Sequence, residues 1–600
     1  SDLPPGEYEY VDGGVGTAED ATALTAQYPE GLGGTIVMVS RGTLDFQDKF
    51  DNIAPLKPTA ILVYDNEPGD ALLIMNLSTL DTPAAFISQA DGQAMLEAAD
   101  HHLTMAEGQV LPQSSVYEAS EFSSWGVSPD LRLKPEIAAP GGSVTSSEPG
   151  NEYDDATGTA EASAQVAGVA ALVRQRIATD PAFAGMSAAE KNAVVTNFLM
   201  GTARPMPDAT QTDGTFYSPR RVGAGLVDAV GATTSPVYPS MVGVVDSSRP
   251  KADLGDGTNG WSFQVQLTNV SDAAHTYTLG GQALSEIVEG ELFTQHSKNW
   301  AGAGIDLTFS ADSVTVPAQS SASVTVTVTP QAAFASYANA NAPKGTFIDG
   351  AVTFTSADGQ PGLTVPYMGF YGSWGAPNIF DGKWYDGTTS TAHACSSTLM
   401  NPATDVPLGA LNPLDGQDST AVRAVDTAYF IMSRSTAQEA PSKMLPRTCL
   451  LRNTPKLTYT YTNEAGETVR SYTFERAKKS LFNYSSGAIL PVESQEGNNP
   501  VFDGFDKDGN ELPDGRYTLT IEGSSVAPSS TTQQVTWEFT LDTQAPTISN
   551  VAVTGEGDGR VVSFDVSDNS PLAGIAFSES PTSRHYYDEK EAVGANRQPD

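Results

Sequence analysis

The segment 158–168 contains the residues whose types and spacing most clearly suggest a chemical role. Gly158 and Thr159 predict a tight loop, and the alanine-rich run that follows predicts a helix beginning beside it. Backbone N–H groups at a helix N-terminus, together with the helix dipole, stabilise a developing negative charge. The backbone amide of Ala160 is therefore a candidate donor to an anion, and its methyl side chain carries no reactive group. Ser163, one helical turn further on, is interpreted as a small packing residue.

A second group of oxygen-bearing side chains lies in the segment 503–514. Asp506, Asp508 and Asn510 alternate with other residues as ligands do at the start of an EF-hand loop, and their oxygens suit Ca²⁺. Tyr517 stands where such a loop needs its closing Glu, and no helices are predicted on either side. We therefore interpret these residues as Asp/Gly hairpin turns and keep calcium as the alternative. No organic cofactor is predicted.

The six histidines indicate no catalytic or metal centre on sequence grounds. His101 and His102 are predicted to lie in a solvated loop or at a helix end, and no third ligand for a metal ion accompanies them. The other four fall in predicted β-rich regions, without a Ser or Asp partner that the sequence could support. They are His275, His296, His393 and His585.

The chain has only two cysteines, which excludes a disulfide-dense scaffold and a Cys-rich metal site. Both lie in one β-rich region, and in an oxidising extracellular setting Cys395 and Cys449 are expected to pair. Their disulfide would close a loop of about 55 residues, which contributes roughly 4 kcal/mol in the chain-entropy account.

Charge and composition exclude several classes of function. The 600 residues carry 32 Lys and Arg against 72 Asp and Glu, a formal net charge of −40. Such a charge opposes binding to nucleic acid or to an anionic lipid surface. Charged residues form only 17% of the chain, while 55 Gly and 39 Pro supply many turns. No apolar run approaches the roughly 18 residues of a membrane-spanning helix, so the sequence is typical of a turn-rich extracellular β protein.

The elements that must position the loop at residue 158 are mixed in type. Short apolar runs predict strands over 35–39 and 59–64, and helical composition predicts a helix within 88–100. A long helix is predicted over 156–178, and a second over 187–200 that opens with a Ser-x-x-Glu capping box.

From about residue 236 the pattern changes to alternating strands separated by Gly, Pro, Asp and Asn turns, which is typical of β-sandwiches. The clearest of these strands are 261–267, 323–329, 457–461, 516–521 and 535–541. Residues 542–546 predict an extended linker into one further β unit. At roughly 150 residues per domain, a chain of this length is expected to hold about four domains.

Three segments in order resemble subtilases, the subtilisin-like serine proteases. Residues 122–126 and 133–142 resemble the family's Phe-Ser-Ser-Trp-Gly and Leu-Lys-Pro stretches. Residues 158–168 resemble its nucleophile signature, and residues 218–228 resemble the segment that closes the catalytic domain. Because the matches occur in order and at plausible spacing, the resemblance implies the Ser side of a subtilase domain.

The flanking regions resemble domains that accompany some subtilases. Residues 35–70 resemble the protease-associated domain, and residues 345–381 resemble the first fibronectin type III-like domain of bacterial cell-envelope proteinases of the lactocepin group. The implied fold is multidomain: an α/β subtilisin-like half-domain with a parallel sheet, a protease-associated α+β insert, and β-sandwiches. The expected boundaries are 1–110 for the insert, 111–235 for the half-domain, 236–381 and 382–543 for two sandwiches, and 544–600 for the start of a third.

The sequence departs from the family at the position that matters most. Ala160 stands where subtilases have their nucleophilic Ser, and Glu161, Ala164 and Gln165 replace the usual Met, Pro and His. An engineered knock-out would change only the Ser, so these further differences favour natural loss. The family's Asp and His motifs are also not found, and the chain opens without an initiator Met or signal peptide. We therefore expect an internal piece of a longer secreted protein, whose upstream half would be its partner.

The resemblance implies a function in proteolysis. The family hydrolyses peptide bonds by acyl transfer through Ser, His and Asp, without an organic cofactor, and acts on polypeptides. This chain is expected to be a fragment of a secreted or cell-wall-associated endopeptidase that is inactive as its sequence stands. One alternative is a pseudo-protease that binds polypeptide or glycan outside the cell. Another is a stalk that spaces a distal domain from the envelope.

Overall fold

A computed structural model describes most of the chain, in the ranges 6–42, 44–66, 75, 82–105, 117–244, 247–290, 292–386, 397–411, 424–434, 441–483, 488–494, 500–526, 529–556, 560–571, 575–580 and 583–587. The chain divides into two compact units. The first comprises Ser1–Ser115 with Leu481–Leu490, and the second comprises Val116–Ser480 with Pro491–Asp600.

The first unit contains an α/β sheet, whose strands are β1 (Gly6–Asp12), β2 (Thr35–Ser40), β3 (Ala60–Tyr64), β4 (Ala84–Ile87) and β5 (His102–Met105). Its helices are α1 (Ala18–Gln27), α2 (Phe46–Ile53) and α3 (Gln89–Glu97). The strand order is β4-β3-β2-β1-β5, parallel except for β5. The central β2 is buried along almost its whole length, because helices and apolar side chains cover both faces. The predicted strands and the predicted helix of this region are confirmed.

The second unit begins with a helical segment, residues 117–235. Its elements are the hairpin β6 (Val144–Glu148) and β7 (Glu152–Ala156), followed by α4 (Thr159–Thr179), α5 (Ala188–Gly201), α6 (Pro219–Val222) and α7 (Ala229–Thr234). The capping box of α5 is confirmed: Ser187 Oγ accepts the N–H of Glu190, whose carboxylate accepts the N–H of Ser187. Among its described residues, parallel pairing is confined to a single bridge between Ala138 and Leu226.

The first β-sandwich follows directly. Its elements are β8 (Val237–Val242), β9 (Ala252–Gly257), β10 (Trp261–Asn269), β11 (His275–Glu289), β12 (Leu292–Asn299), β13 (Ile305–Phe309), β14 (Ser313–Val316), β15 (Ser321–Pro330), α8 (Ala332–Asn341), β16 (Thr346–Ser356) and β17 (Leu363–Tyr371). One sheet has the order β13-β15-β10-β8 and the other β12-β11-β16-β17-β9, with β14 also pairing with β11. Alternate residues of both sheets face a shared core that includes Val265, Tyr277, Val326 and Tyr367.

The second β region has strands β18 (Thr398–Asn401), β19 (Val406–Pro407), β20 (Ala410–Leu411), β21 (Ala424–Val425), β22 (Ile431–Met432), β23 (Leu445–Arg447), β24 (Thr454–Asn463), β25 (Thr468–Ala477), β28 (Gly515–Gly523) and β29 (Gln533–Leu541). The short hairpin between them, β26 (Leu481–Asn483) with β27 (Ala488–Leu490), belongs to the first unit. The main sheet of the second β region has the order β22-β29-β28-β24-β25. A core rich in aromatic residues, with Tyr459, Tyr461 and Trp537, lies against this sheet.

Two hairpins end the described chain: β30 (Thr547–Thr554) with β31 (Val561–Ser567), and β32 (Ile575–Ser580) with β33 (Ser583–Tyr587). Residues 543–546 carry no secondary structure, as the predicted linker requires. Strand β30 exposes apolar side chains such as Val551 and Val553.

Candidate functional site

The loop and helix predicted around residue 158 are confirmed. Gly158 adopts an extended conformation as the N-cap of α4, which begins at Thr159. Ala160 is the second residue of the helix and is exposed. The N–H groups of the first helical turn have no carbonyl partner within the helix, so the backbone amide of Ala160 lies where an anion could be bound. The side chain at this position contributes only a methyl group.

The loop 140–143 lies against this helix start. Gly158 N donates a hydrogen bond to Gly141 O at 2.8 Å, and Gln165 Nε2 donates to Pro140 O at 3.0 Å. A Cβ atom on Gly141 would lie 2.6 Å from Gly158 O, so only glycine allows this close approach. Gln165 stands where the resemblance expects His, and the structure shows that its amide holds the loop.

Glu161 places a carboxylate beside the candidate oxyanion site. Its Oε2 atom lies 2.7 Å from the position that a Cβ atom on Gly158 would occupy, so the side chain folds back over the helix start. The sequence could not show this direction. A carboxylate here repels the negative charge that acyl transfer would develop near the Ala160 amide.

Residues 218–228, which resemble the end of a subtilase domain, contact the residues just before the loop 140–143. Ala224 N donates to Glu136 O at 2.9 Å, and Ala138 exchanges hydrogen bonds with the backbone on either side of Leu226. Gly223 has a positive φ of 61°, and a Cβ atom there would lie 2.3 Å from the carbonyl carbon of Glu136. The segment 136–138, which leads into Pro140, is therefore fixed by backbone contacts that require glycine.

The prediction that Ser163 packs against neighbouring structure is wrong within the described residues, because Ser163 is exposed. The same face of α4 exposes further small residues, Ala164, Ala167, Gly168 and Ala171, and Leu172 is 51% exposed. The small residues are there as the sequence indicated, but nothing in the described structure packs closely on them.

The prediction that His275 lacks Ser and Asp partners is also wrong. His275 Nε2 lies 2.9 Å from Ser271 Oγ, and His275 Nδ1 lies 2.7 Å from Asp358 Oδ2. These are the distances of a Ser-His-Asp relay. Sequence spacing missed it because Asp358 follows β16, 83 positions later, and reaches His275 only through the pairing of β11 with β16.

The hydrogen bonds around Ser271 favour a structural role for this relay. Asn269 Nδ2 donates to the carbonyls of Ala273, Val316 and Pro317, which fixes its Oδ1 atom toward Ser271. That Oδ1 accepts both the N–H of Ser271, at 2.9 Å, and its hydroxyl, at 2.8 Å. The Ser271 hydroxyl therefore has acceptors other than His275, because Ala273 O also lies 3.2 Å from it. We interpret the contacts among Ser271, His275 and Asp358 as stabilising the turn between β10 and β11.

Two further histidines make contacts with carboxylates. His296 Nδ1 lies 3.0 Å from the buried carboxylate of Asp208, so it too has an Asp partner, contrary to the prediction. His102 is the exposed first residue of β5, in an ion pair with Asp100, rather than part of a loop or helix end. His393 lies outside the described residues.

The weak calcium candidates form a turn. Asp506 Oδ1 accepts the backbone N–H groups of Asp508 and Asn510, each at 2.8 Å, and its Oδ2 accepts the Asn510 side-chain amide at 2.9 Å. These bonds lower the pKa of Asp506 below its usual value, with the Asn510 side chain as the largest cause. Across the described ranges, no group of three or more His, Cys, Asp or Glu side chains could hold a metal ion.

Cys449 is buried and disulfide-bonded. The chain has one other cysteine, Cys395, which lies outside the described residues, so the geometry of the predicted pair is not defined.

Comparison with known proteins agrees with this fold. The profile of the subtilase family matches residues 18–225, and the profile of the Fn3-like domain matches residues 253–368. The first match begins within the α/β unit, so it includes the region resembling a protease-associated insert. The chain therefore contains a subtilase-family region followed by an Fn3-like domain.

The chain is also similar to curated bacterial peptidases. The chain is 25% identical over 93% of its length to a C5a peptidase of Streptococcus pyogenes, and it spans 50% of that protein. It is 26% identical over 88% of its length to the PII-type proteinase of Lactococcus lactis, of which it spans 28%. The chain therefore spans about half the length, or less, of the curated relatives it matches. No described helix is long and apolar enough to cross a membrane.

Proposed function

We propose that this chain is a segment of a secreted or cell-wall-associated subtilisin-like endopeptidase and that it is catalytically inactive as its sequence stands. The observation that carries the proposal is the position of Ala160. It is the second residue of α4, beside the Gly158 loop, where the family signature has its nucleophile. Without a hydroxyl there, no acyl-enzyme can form at this position.

Two further features support inactivity. The carboxylate of Glu161 folds over the helix start, where it opposes the charge that the transition state develops. Two of the described histidines are also bound elsewhere: His275 to Ser271 and Asp358, and His296 to Asp208.

The partners follow from the family. The relatives' printed names describe peptidases and proteinases, so we propose a polypeptide as substrate or ligand, and an upstream half that would supply Asp and His. The first unit, with its protease-associated resemblance, is proposed to help select polypeptide rather than take part in chemistry.

A second candidate, a pseudo-protease that binds polypeptide without cleaving it, gains support from Gln165. Its side-chain amide donates to Pro140 O, so the replacement of the usual His is built into the loop around the site. A chain that had lost only its Ser would show no such adaptation.

One experiment separates these candidates. The full chain is mixed with a fluorescein-labelled unfolded polypeptide, and binding (by anisotropy) and cleavage (by the appearance of new N-termini) are followed together. The inactive endopeptidase and the pseudo-protease both predict no cleavage, and only the pseudo-protease predicts saturable binding. Cleavage that survives inhibitors of contaminating metallo- and cysteine proteases would refute the proposal.

A further inference from the structure

Arg220 is a buried cation shared by the subtilase segment and the first sandwich. It lies on α6 with only 3% of its surface exposed. Its Nε atom is 2.8 Å from Asp349 Oδ2, and its Nη2 atom is 3.1 Å from Glu286 Oε1. Ser218, the N-cap of α6, donates to the same Asp349 oxygen at 2.6 Å. Both carboxylates belong to the sandwich, on β16 and β11.

Two aromatic rings enclose the same guanidinium. The Phe347 ring, from the sandwich, has its centroid 4.0 Å from Arg220 Cζ, and the Trp125 ring lies at 5.4 Å. Burial lowers the pKa of Arg220, but Glu286 and Asp349 outweigh burial and raise it, so the group stays charged. Trp125 belongs to the segment 122–126, which resembles subtilases.

Backbone hydrogen bonds extend from Arg220 to the candidate site. Gly126 N donates to Arg220 O at 2.7 Å, which holds the segment that includes Trp125. Three residues after Arg220, the turn at Gly223 lies against Glu136. The chain continues from Glu136 into the loop 140–143, which contacts the start of α4. The position of α6 therefore determines the position of both segments around the candidate site.

Other sandwich side chains bind the same segment through its backbone. Asp253 Oδ1 accepts the N–H of Leu133 at 2.6 Å, and Lys251 Nζ donates to Leu133 O at 2.5 Å. Gln282 accepts the N–H of Phe216 at 2.9 Å and donates to a neighbouring carbonyl at 2.8 Å. All but the last of these polar contacts are buried or half-buried, and each group would lose its partner if the sandwich moved away.

We propose that the first sandwich is a structural part of the subtilase segment and that Asp349 and Arg220 are positioning residues for the candidate site. This inference does not depend on whether the chain is active. Removing one member of a buried ion pair leaves the other charge uncompensated, whereas removing both is often tolerated. The segments 122–126 and 223–226 should therefore loosen when either partner alone is lost.

Hydrogen exchange of the full chain, followed by mass spectrometry, tests this inference. Asp349→Asn is expected to speed exchange at 122–126 and 223–226 by at least about tenfold. Exchange in β28 of the second β region should change less than about twofold, because it makes none of these contacts. A double variant, Asp349→Asn with Arg220→Met, should recover much of the protection, which a general loss of packing would not allow.

Asp405→Asn is the matched control. Asp405 also pairs with an arginine, Arg447, at 2.8 Å, but its side chain is 80% exposed, and exposed pairs contribute little. Equal exchange in the Asp349 and Asp405 variants, or equal loosening in β28, would overturn the inference. If Asp349→Asn gives no folded protein, Glu286→Gln replaces it, and an unchanged exchange pattern in that variant would count as the same refutation.

Discussion

Two helices of the same segment differ sharply in how they are packed. In α5, most of the second half is buried, from Val194 to Gly201. In α4, which is half as long again, only Val173 and Ile177 are buried, and both lie in its C-terminal half. Both helices have apolar compositions, so composition alone does not explain the difference. The explanation lies in what surrounds them, because α5 packs on β8 of the sandwich.

The C-terminal part of α4 lies on the covered side of the segment 117–235, which we call the closed side. Arg176 stacks on the Phe198 ring at 4.5 Å and donates to Ser235 O at 2.7 Å. The N-terminal turns, which follow Ala160, form the open side, where small residues face solvent. Small residues on a helix face allow close packing of another element, so the open side is where we expect an upstream half to pack. One side of the segment is covered by the sandwich, whereas among the described residues nothing packs closely on the exposed face of α4.

The largest effect is expected from removing the sandwich. Residues 117–235 alone should fail to fold cooperatively, because Arg220 would lose both carboxylates and Tyr238 would no longer cover Phe198. Residues 117–371 should show more protease resistance and a cooperative thermal transition. Cooperative unfolding of the shorter protein would remove the distinction between the closed and open sides.

A core substitution tests the same contrast within the helices. Phe198 is fully buried between Phe183 and Tyr238, so Phe198→Ala should destabilise the segment by about 3–5 kcal/mol. Leu172→Ala, at an exposed position of α4, should change stability by less than about 0.5 kcal/mol. Hydrogen exchange of α5 peptides measures both, and similar costs for the two variants would show that the open side is packed after all.

An acid-sensitive contact is expected on the closed side, at Asp208. Burial raises the pKa of Asp208, but hydrogen bonds from His296, Thr210 and Gln211 outweigh it and lower the pKa. A lowered pKa in the folded state adds stability above the unfolded-state value of about 3.9, and this is lost as the pH falls through the folded value. Asp208→Asn should therefore weaken the dependence of unfolding on pH below about 4.

Urea unfolding of the segment at pH 3 to 6 checks this, with Asp155→Asn on the exposed β6–β7 hairpin as the control for the loss of one charge. A steep pH dependence that persists unchanged in Asp208→Asn would assign it to other carboxylates.

The smallest effect concerns Gly168, on the open face of α4. Among the described residues, nothing lies within 4 Å of a Cβ atom placed there. Gly168→Ala should therefore stabilise this chain by about 0.5–1 kcal/mol, because glycine is a poor residue inside a helix. In a protein that includes the upstream half, the same substitution should destabilise. Destabilisation of the present chain would show that this face is already covered.

Local patterns predicted much of this molecule. The Ser187 capping box, the strands of alternating pattern and the Gly158 loop could all be predicted from the sequence, because each depends on neighbours within a few positions. The direction of Glu161 and the exposure of Ser163 were not readable, because they depend on what surrounds the helix. The relay at His275 and the Arg220 cluster join residues about 80 to 130 positions apart, which only the pairing of strands and domains brings together.

The claim that chemistry is lost at Ala160 can be tested most directly with a fluorophosphonate probe, which labels activated serines. Three proteins are compared: the chain as it stands, its Ala160→Ser variant, and that variant joined to its upstream half. Only the third should be labelled, and more strongly when Glu161→Met removes the nearby carboxylate. Labelling of the unmodified chain at any serine, Ser271 above all, would contradict the account. So would a third protein that folds and remains unlabelled.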